Sequence, residues 1–203
     1  MAPNYITEVV FNGDWVKRLH GRTSVKFKPG TNILIGPNGS GKSTILTVIN
    51  QKRSFTKEKE IEIKLKNQQR FEFYYFDFEK QNPRSASKLF EDGGGYFQLA
   101  SHFLSHGETV KHLHEFLLDS KVKGCLTLLD EPEQALDLDG VDVLMSYLQK
   151  TEATQVIIAT HAMSLILNPE YNVIELEENY CKKVYTHAER AIKKFEQTRC
   201  NKR

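Results

Sequence analysis

Apolar positions along the chain fall into short runs of strand length, separated by Gly and Pro turns and by stretches with helical spacing. Strand-like runs occupy the segments YITEVVFNG, TSVKFKPG, TNILIG, GCLTLLD, QVIIAT and YNVIEL. Helical spacing is expected over residues 42–50, from residue 105 onward, over 140–150 and in the terminal segment AERAIKKFEQ. Strands that alternate with helices predict an α/β fold with a mainly parallel central sheet.

Two further segments, EIEIKLKN and RFEFYYFDF, alternate apolar and polar residues with a period of two. This pattern is typical of half-buried strands in an antiparallel sheet. With NQQ as the turn between them, we expect the two segments to pair as a hairpin. The hairpin would belong to an antiparallel β subdomain beside the parallel sheet.

Length and composition favour a single globular domain over residues 1–203. The chain has 203 residues, of which 39% are hydrophobic and 27% are charged. Its apolar runs are too short to span a bilayer, and the segment MAPNYITEVV lacks the features of a signal peptide. Three cysteines without close or metal-binding spacing indicate reduced thiols. We therefore expect a cytoplasmic protein with no membrane insertion.

The formal charge of +2 is close to neutral, but its distribution is uneven. Residues 182–203 carry eight Lys or Arg against two Glu, so this predicted basic helical tail has a net charge of +6. A second basic segment, KRLHGRTSVKFK, precedes the glycine-rich loop. Such clusters either contact nucleic-acid phosphates or remain solvated surface charge, and the sequence leaves both interpretations open.

The segment ILIGPNGSGKST carries the strongest chemical signal. Its glycines let successive backbone N–H groups turn toward phosphate oxygens, and the helix that follows points its positive end at them. Lys42 is expected to reach the β- and γ-phosphates of a nucleotide, and Ser43 to ligate Mg²⁺. The predicted nucleotide-binding residues are Gly36, Pro37, Asn38, Gly39, Ser40, Gly41, Lys42, Ser43 and Thr44.

The segment CLTLLDEPE ends a buried strand with two adjacent carboxylates. A nucleotide site that hydrolyses needs a carboxylate beside the metal and a group that positions the attacking water. Asp130 is expected to support Mg²⁺, and Glu131 to face the water. The alternative, a turn with a helix-capping role, is less favoured because the glycine loop lies on the same chain.

Four further segments resemble the ATP-binding-cassette ATPases when they are taken in order with the two above. They are the glutamine segment DFEKQNP, the signature-like LSHGE, the interface-loop segment ALD and the histidine segment ATHAMSL. Together the motifs span residues 31–162, which is most of the chain. LSHGE also fits a helix capping box, from Ser105 to Glu108, and both interpretations of it stand.

The resemblance implies an ATP-dependent dimer in which each subunit completes the site of the other. By this likeness Ser105 and Gly107 of a second copy would contact the γ-phosphate, and Asp137 would lie in the loop that crosses the interface. His161 would sense the γ-phosphate, and Gln81 would approach the metal. The implied cofactors are ATP and Mg²⁺, and the implied activity is ATP hydrolysis, with Glu131, Lys42 and His161 as catalytic residues.

Three features of the sequence resemble one branch of this family. That branch comprises the chromosome-maintenance, recombination-repair and overcoming-lysogenization-defect proteins. Glu133 stands where transporter subunits carry a small hydroxyl residue, residues 82–104 leave room for only a short helical signature subdomain, and KFKPGTN precedes the loop. The chain has no room for the long coiled coil of the repair proteins, so it resembles compact members without one.

This branch implies an ATPase that acts on DNA or in a DNA-associated complex as a homodimer, or as a heterodimer with a similar chain. A second interpretation is a regulatory subunit whose dimer scaffolds an effector protein such as a nuclease. The ATP-binding subunit of a transporter is less favoured, and a P-loop kinase or GTPase is the least favoured.

Overall fold

The structure is a computed structural model that describes residues 5–51, 60–67, 73–77, 124–151 and 153–200. Its strands are β1 (Ile6–Phe11), β2 (Ser24–Lys26), β3 (Gly30–Ile35), β4 (Ile61–Leu65), β5 (Phe73–Asp77), β6 (Leu126–Asp130), β7 (Gln155–Ala159) and β8 (Asn172–Glu175). Its helices are α1 (Asp14–Arg18), α2 (Lys42–Gln51), α3 (Leu138–Lys150), α4 (Met163–Ile166) and α5 (Tyr180–Cys200), with a 3-10 turn at Pro132–Ala135.

Five strands form a parallel sheet in the order β5-β6-β7-β3-β8. Every residue of β6 and of β7 is buried, as expected for central strands that are covered on both faces. The carboxyl ends of β3, β6 and β7 lie side by side at one edge of the sheet. The predicted parallel α/β core is therefore confirmed, and it brings the segments that follow these strands together.

A separate antiparallel sheet has the order β2-β1-β4, which confirms the predicted antiparallel β subdomain. The predicted hairpin between EIEIKLKN and RFEFYYFDF is wrong, because β4 pairs with β1 whereas β5 joins the parallel sheet beside β6. The physical reason lies in three consecutive aromatic residues of β5. Tyr75 packs against one apolar cluster, and Tyr74 and Phe76 pack against another, so that β5 contributes to the cores on both faces of the sheet.

The parallel sheet separates two apolar clusters. On one face, Leu34 of β3 packs with residues of α2 and of the antiparallel sheet. On the other face, Ile33 and Ile35 of the same strand pack with residues of α3 and α4. The alternation of side chains along β3 therefore fixes the strand between both layers and sets the direction of the loop that follows it.

Gln155 joins the two sheets at the start of β7. Its side chain is completely buried. Oε1 accepts a hydrogen bond from the backbone N–H of Ile6 at 3.0 Å, and Nε2 donates to the carbonyls of Ile6 at 3.0 Å and Lys28 at 2.8 Å. Each polar atom of the amide is satisfied, as the burial of a polar side chain requires.

Helix α5 begins earlier than the predicted segment AERAIKKFEQ, at Tyr180, and contains most of the predicted basic tail. Tyr180, Cys181 and Val184 pack against the core, whereas residues 190–199 are exposed. Within the described part of the chain, no helix has both the length and the apolar character needed to cross a membrane.

Candidate functional site

The glycine loop lies between the carboxyl end of β3 and the first turn of α2. Gly41 has a φ of +96°, and a Cβ atom there would stand 2.5 Å from Cδ2 of Leu19. A Cβ atom on Gly36 would stand 2.5 Å from Oγ of Ser40. Both positions therefore require glycine, and the tight turn brings the loop backbone to the edge of an open cleft.

The cleft has a volume of about 380 Å³. It is lined by Asn38, Gly39, Gly41, Lys42, Ser43, Thr44, Glu131 and Gln134. Most of the nucleotide-binding residues predicted from the loop border it, together with Glu131 from the end of β6. Gln134 was not predicted from the sequence, since it belongs to a turn whose position depends on the fold.

Lys42 is almost completely enclosed at the cleft, with 5% of its surface exposed. Its Nζ donates to the carbonyls of Gly36 at 3.1 Å and Pro37 at 3.4 Å, and it lies 2.8 Å from Nε2 of His161. Burial lowers the pKa of Lys42, while the carboxylates of Glu131 and Asp130 oppose this shift. The loop carbonyls and His161 thus hold the ammonium at the cleft.

Ser43 and Asp130 meet where α2 approaches the end of β6. The Ser43 hydroxyl donates to Oδ1 of Asp130 at 2.9 Å. Burial raises the pKa of Asp130 to about 6, and the neighbouring carboxylates of Asp77 and Glu131 add to the shift, whereas the hydrogen bonds from Ser43 and Tyr75 oppose it. Burial and the neighbouring carboxylates destabilise the ionised form of Asp130, so a cation beside it would stabilise that form.

This donor set fits a magnesium ion that binds together with phosphate. A hydroxyl and a carboxylate are hard oxygen ligands, and Mg²⁺ usually keeps several waters and shares phosphate oxygens of its substrate. The described residues contain no group of three or more His, Cys, Asp or Glu that could hold a metal by themselves. Ser43 and Asp130 are therefore suited to the protein side of a magnesium–nucleotide complex.

Glu131 follows β6 in a left-handed backbone conformation, with φ of 49° and ψ of 54°. This conformation is uncommon for a residue with a side chain and stores local strain. The Glu131 N–H donates to the carbonyl of Ala159 at 2.8 Å, which ties the turn to β7. Its carboxylate accepts from Gln134, and Oε1 lies 3.7 Å from Nε2 of His161. The turn therefore directs the carboxylate into the cleft.

Glu133 was noted in the sequence only as a mark of the branch, but it contacts the predicted site. Its Oε1 accepts a hydrogen bond from the backbone N–H of His161. His161 is thus held at two points, at its backbone by Glu133 and at Nε2 by Lys42. The carboxylate of Glu133 connects the turn after β6 to the segment after β7.

Two more residues near Asp130 were missed from the sequence. Tyr75 and Asp77 lie on β5, and the Tyr75 hydroxyl is 3.3 Å from Oδ2 of Asp77 and 3.3 Å from Oδ2 of Asp130. Burial raises the pKa of Tyr75 above its usual range. In the sequence, the only signal for Asp77 is a carboxylate at the end of an apolar strand. This signal points to the site only when β5 is known to lie beside β6.

The remaining predicted site residues form two groups. Some are described but do not line the cleft, and the others lie outside the described residues. Gln81, Ser105 and Gly107 belong to the second group. Asp137 caps α3, because its Oδ1 accepts from the N–H of Gly140 at 2.8 Å. The structure thus brings together Lys42, Ser43, Asp130, Glu131 and His161.

The glycine loop connects a buried parallel strand to a helix, and a neighbouring strand ends in a carboxylate. These features define a P-loop nucleotide-binding protein. Comparison with known proteins gives the family. The chain belongs to the ABC transporter family, whose sequence profile matches residues 21–203. It is therefore an ATPase of the ATP-binding-cassette type.

Two individual proteins are similar to parts of this chain or to its fold. The DNA double-strand break repair Rad50 ATPase of Methanopyrus kandleri is 50% identical over 32 residues. That segment covers 16% of this chain and 4% of the relative, so the chain spans a small part of the relative's length. A crystal structure of a cobalt transport ATP-binding protein aligns with 87% of this chain and 77% of its own, at 17% identity and a TM-score of 0.46.

Proposed function

We propose that this ATPase closes as an ATP-dependent dimer and acts on DNA or in a DNA-associated complex in the cytoplasm. Residues 1–203 would form one ATP-binding-cassette domain, and the partner subunit would be a second copy or a similar chain. The observation that carries the DNA assignment is an exposed basic face on α5.

The basic face consists of five exposed cations on one side of α5: Lys182, Lys183, Arg190, Lys193 and Lys194. At 3.6 residues per turn, they share about a third of the helix circumference and extend over about 18 Å. Cations arranged along one side of a rigid element can follow a row of phosphates, and their contacts release bound counterions. The similarity to a segment of a repair ATPase supports the same partner.

At the cleft, Lys42 and the loop N–H groups would hold the β- and γ-phosphates of ATP. The Lys42 ammonium lies against the carbonyls of Gly36 and Pro37, within the loop itself. Ser43 and Asp130 would hold Mg²⁺, which supplies neutralisation of phosphate charge when it is bound. The first turn of α2 adds the positive end of a helix dipole.

Hydrolysis requires a group that orients water, and Glu131 is suited to that role. Its left-handed turn points the carboxylate at the cleft, and it lies near His161. His161 would then sense the γ-phosphate, because its Nε2 already contacts Lys42. Ser105 and Gly107 of the partner subunit would supply donors on the open side of the phosphate, with Asp137 in the loop between subunits.

A second candidate function is favoured by a separate observation on α5. Tyr185, Ile192 and Phe195 are exposed, with 57%, 58% and 58% of their surface accessible, and they lie along one stripe of the helix. An apolar stripe is suited to a protein rather than to DNA. In this alternative, the dimer would hold an effector protein such as a nuclease.

The experiment that tests the proposal is the steady-state ATPase rate at low salt, measured over a range of protein concentrations with and without linear duplex DNA. A rate per subunit that rises with protein concentration and again with DNA supports both parts of the proposal. A concentration-dependent rate that is indifferent to DNA keeps the dimer and favours the effector. A rate per subunit that depends on neither protein concentration nor DNA overturns the proposed dimer.

A matched pair of variants locates the DNA contact. Lys193→Gln combined with Lys194→Gln removes two charges from the basic face, whereas Lys66→Gln combined with Lys150→Gln removes two exposed charges elsewhere. We expect only the first pair to weaken DNA binding and to reduce the slope of log K against log salt, by about 0.9 for each lost phosphate contact. Equal effects of both pairs would indicate dependence on net charge alone.

A further inference from the structure

The parallel register of β5 and β6 sets two carboxylates side by side at the metal side of the cleft. Asp77 is the register partner of Asp130, and each is the last residue of its strand. Asp77 is 7% exposed and Asp130 is 5% exposed. Two acidic side chains are therefore enclosed at neighbouring strand ends, and one of them, Asp130, accepts a hydrogen bond from the Ser43 hydroxyl.

A single hydroxyl connects the two carboxylates. Tyr75 Oη lies 3.3 Å from Oδ2 of each aspartate, and it also forms a hydrogen bond with Thr47 of α2. A phenol carries one hydrogen, so it donates to only one of the two carboxylates at a time. Tyr75 therefore contacts both carboxylates but offsets the negative charge of only one of them at a time.

The charges around this point favour a cation. Asp77, Asp130, Glu131 and Glu133 are all acidic, and the lysine that interacts with the last three, Lys42, already donates to loop carbonyls. Because acidic groups outnumber the lysine, the site would repel the phosphates of free ATP more than those of magnesium-bound ATP. Enclosed carboxylates are stable when they are paired or lie beside a metal.

We propose that Asp77 is a magnesium-positioning residue of the nucleotide site, which acts through Tyr75 and Asp130 and contributes its own negative charge to the metal side of the cleft. The sequence also predicts Gln81, four positions later, as a residue that approaches the metal; Gln81 lies outside the described residues and stays a prediction. Asp77 is the residue that the strand register puts beside Asp130. This inference rests on the ATP site and does not depend on the DNA partner.

The test uses the full-length chain without DNA and measures binding of a fluorescent ATP analogue, first in EDTA and then over a magnesium titration. For Asp77→Asn, we expect the magnesium concentration at half-saturation to rise about 10- to 100-fold, the range found for groups that support metal ligands. Binding in EDTA should stay unchanged or become tighter, because a negative charge is lost. Direct binding of Mn²⁺, followed by electron paramagnetic resonance in the presence of the analogue, should weaken by the same factor.

Two further variants separate metal positioning from a structural role. Asp142→Asn removes an exposed carboxylate of α3 and should leave both titrations unchanged. Tyr75→Phe keeps the ring and removes the bridging hydroxyl, so it should shift the magnesium midpoint in the same direction but by less than Asp77→Asn. It also tests the proposal if Asp77→Asn does not fold.

An unchanged magnesium midpoint in folded Asp77→Asn overturns the proposal. Equal loss of binding with and without magnesium also overturns it, because a structural role would affect both. If the wild-type chain binds no analogue under either condition, the ATP site itself fails. The DNA experiment gives its answer separately, so the two proposals can fail independently.

Discussion

The side-chain nitrogen of Lys42 lies 2.8 Å from Nε2 of His161, so the lysine of the glycine loop and the histidine after β7 are joined by a hydrogen bond. Because an ammonium group only donates, the histidine accepts at Nε2 and carries its hydrogen on Nδ1. The strands that lead to these residues, β3 and β7, are neighbours in the parallel sheet. The end of β7 is thus in direct contact with the group expected to bind phosphate.

Replacing His161 by Ala should separate ATP binding from hydrolysis. Lys42 keeps the carbonyls of Gly36 and Pro37, so affinity for ATP should change only a few-fold, whereas the rate of phosphate release should fall about 100-fold. Binding of a fluorescent analogue and single-turnover phosphate release measure the two quantities. His187→Ala, on the exposed side of α5, is the control, and full activity of His161→Ala would contradict the assigned role.

Replacing Glu131 by Gln should trap the ATP-bound dimer. The amide keeps the size of the side chain but is a poor base, so we expect turnover to fall by about 100-fold or more while phosphate binding survives. Analytical ultracentrifugation with saturating Mg·ATP should detect a dimer that is absent without nucleotide. A monomer under both conditions would argue against closure on ATP.

Replacing Glu133 by Thr, the kind of residue that transporter subunits carry, should disturb His161 through its backbone. The hydroxyl is too short to reach the His161 N–H, and loss of the acceptor should cost about 1–3 kcal/mol of unfolding free energy if that N–H is left without a partner. We expect kcat to fall while KM for ATP changes little. Glu133→Gln retains an acceptor oxygen and should restore most of the rate; equal defects in the two variants would exclude this explanation.

The stability of the metal-free protein should depend on pH through Asp130. Its pKa is raised from an ordinary value of 3.8 to about 6, so the folded state binds more protons than the unfolded state between these values. The free energy of unfolding should therefore decrease as pH rises through this window, by at most about 1.4 kcal/mol per pH unit. Above about pH 6 this contribution should be constant.

Urea unfolding in EDTA across the same pH range measures this effect as the difference between wild type and Asp130→Asn. The variant removes the titrating group and should lack this part of the pH dependence. Asp142→Asn, which removes an exposed carboxylate, should behave like wild type. Parallel curves for wild type and Asp130→Asn would show that Asp130 does not titrate as described.

The sequence predicted those parts of the fold that depend on local patterns. Every residue of β6 and β7 is buried, and their continuous apolar runs correctly indicated central parallel strands. The glycine loop and the pair Asp130–Glu131 were recognised because each is contiguous in sequence. Their meeting in one cleft then follows from parallel strands, whose carboxyl ends share one edge of the sheet.

The missed features depend on pairing between distant segments. The alternation in RFEFYYFDF indicated a strand but not its neighbour, so β5 was assigned to the wrong sheet. The proximity of Asp77 to Asp130 depends on that register, and the contact of Glu133 with His161 depends on how the turn after β6 packs on β7. No local periodicity carries this information, since both contacts are set by tertiary packing.

Gln155 has a mechanical consequence. Its one amide group binds the backbone of β1 and of the segment before β3, and it is shielded from water. Sliding of the antiparallel sheet over the parallel sheet would break these hydrogen bonds where no solvent can replace them, at a cost of about 1–3 kcal/mol for each group left unpaired. The buried amide of Gln155 therefore acts as a lock that opposes sliding between the two sheets.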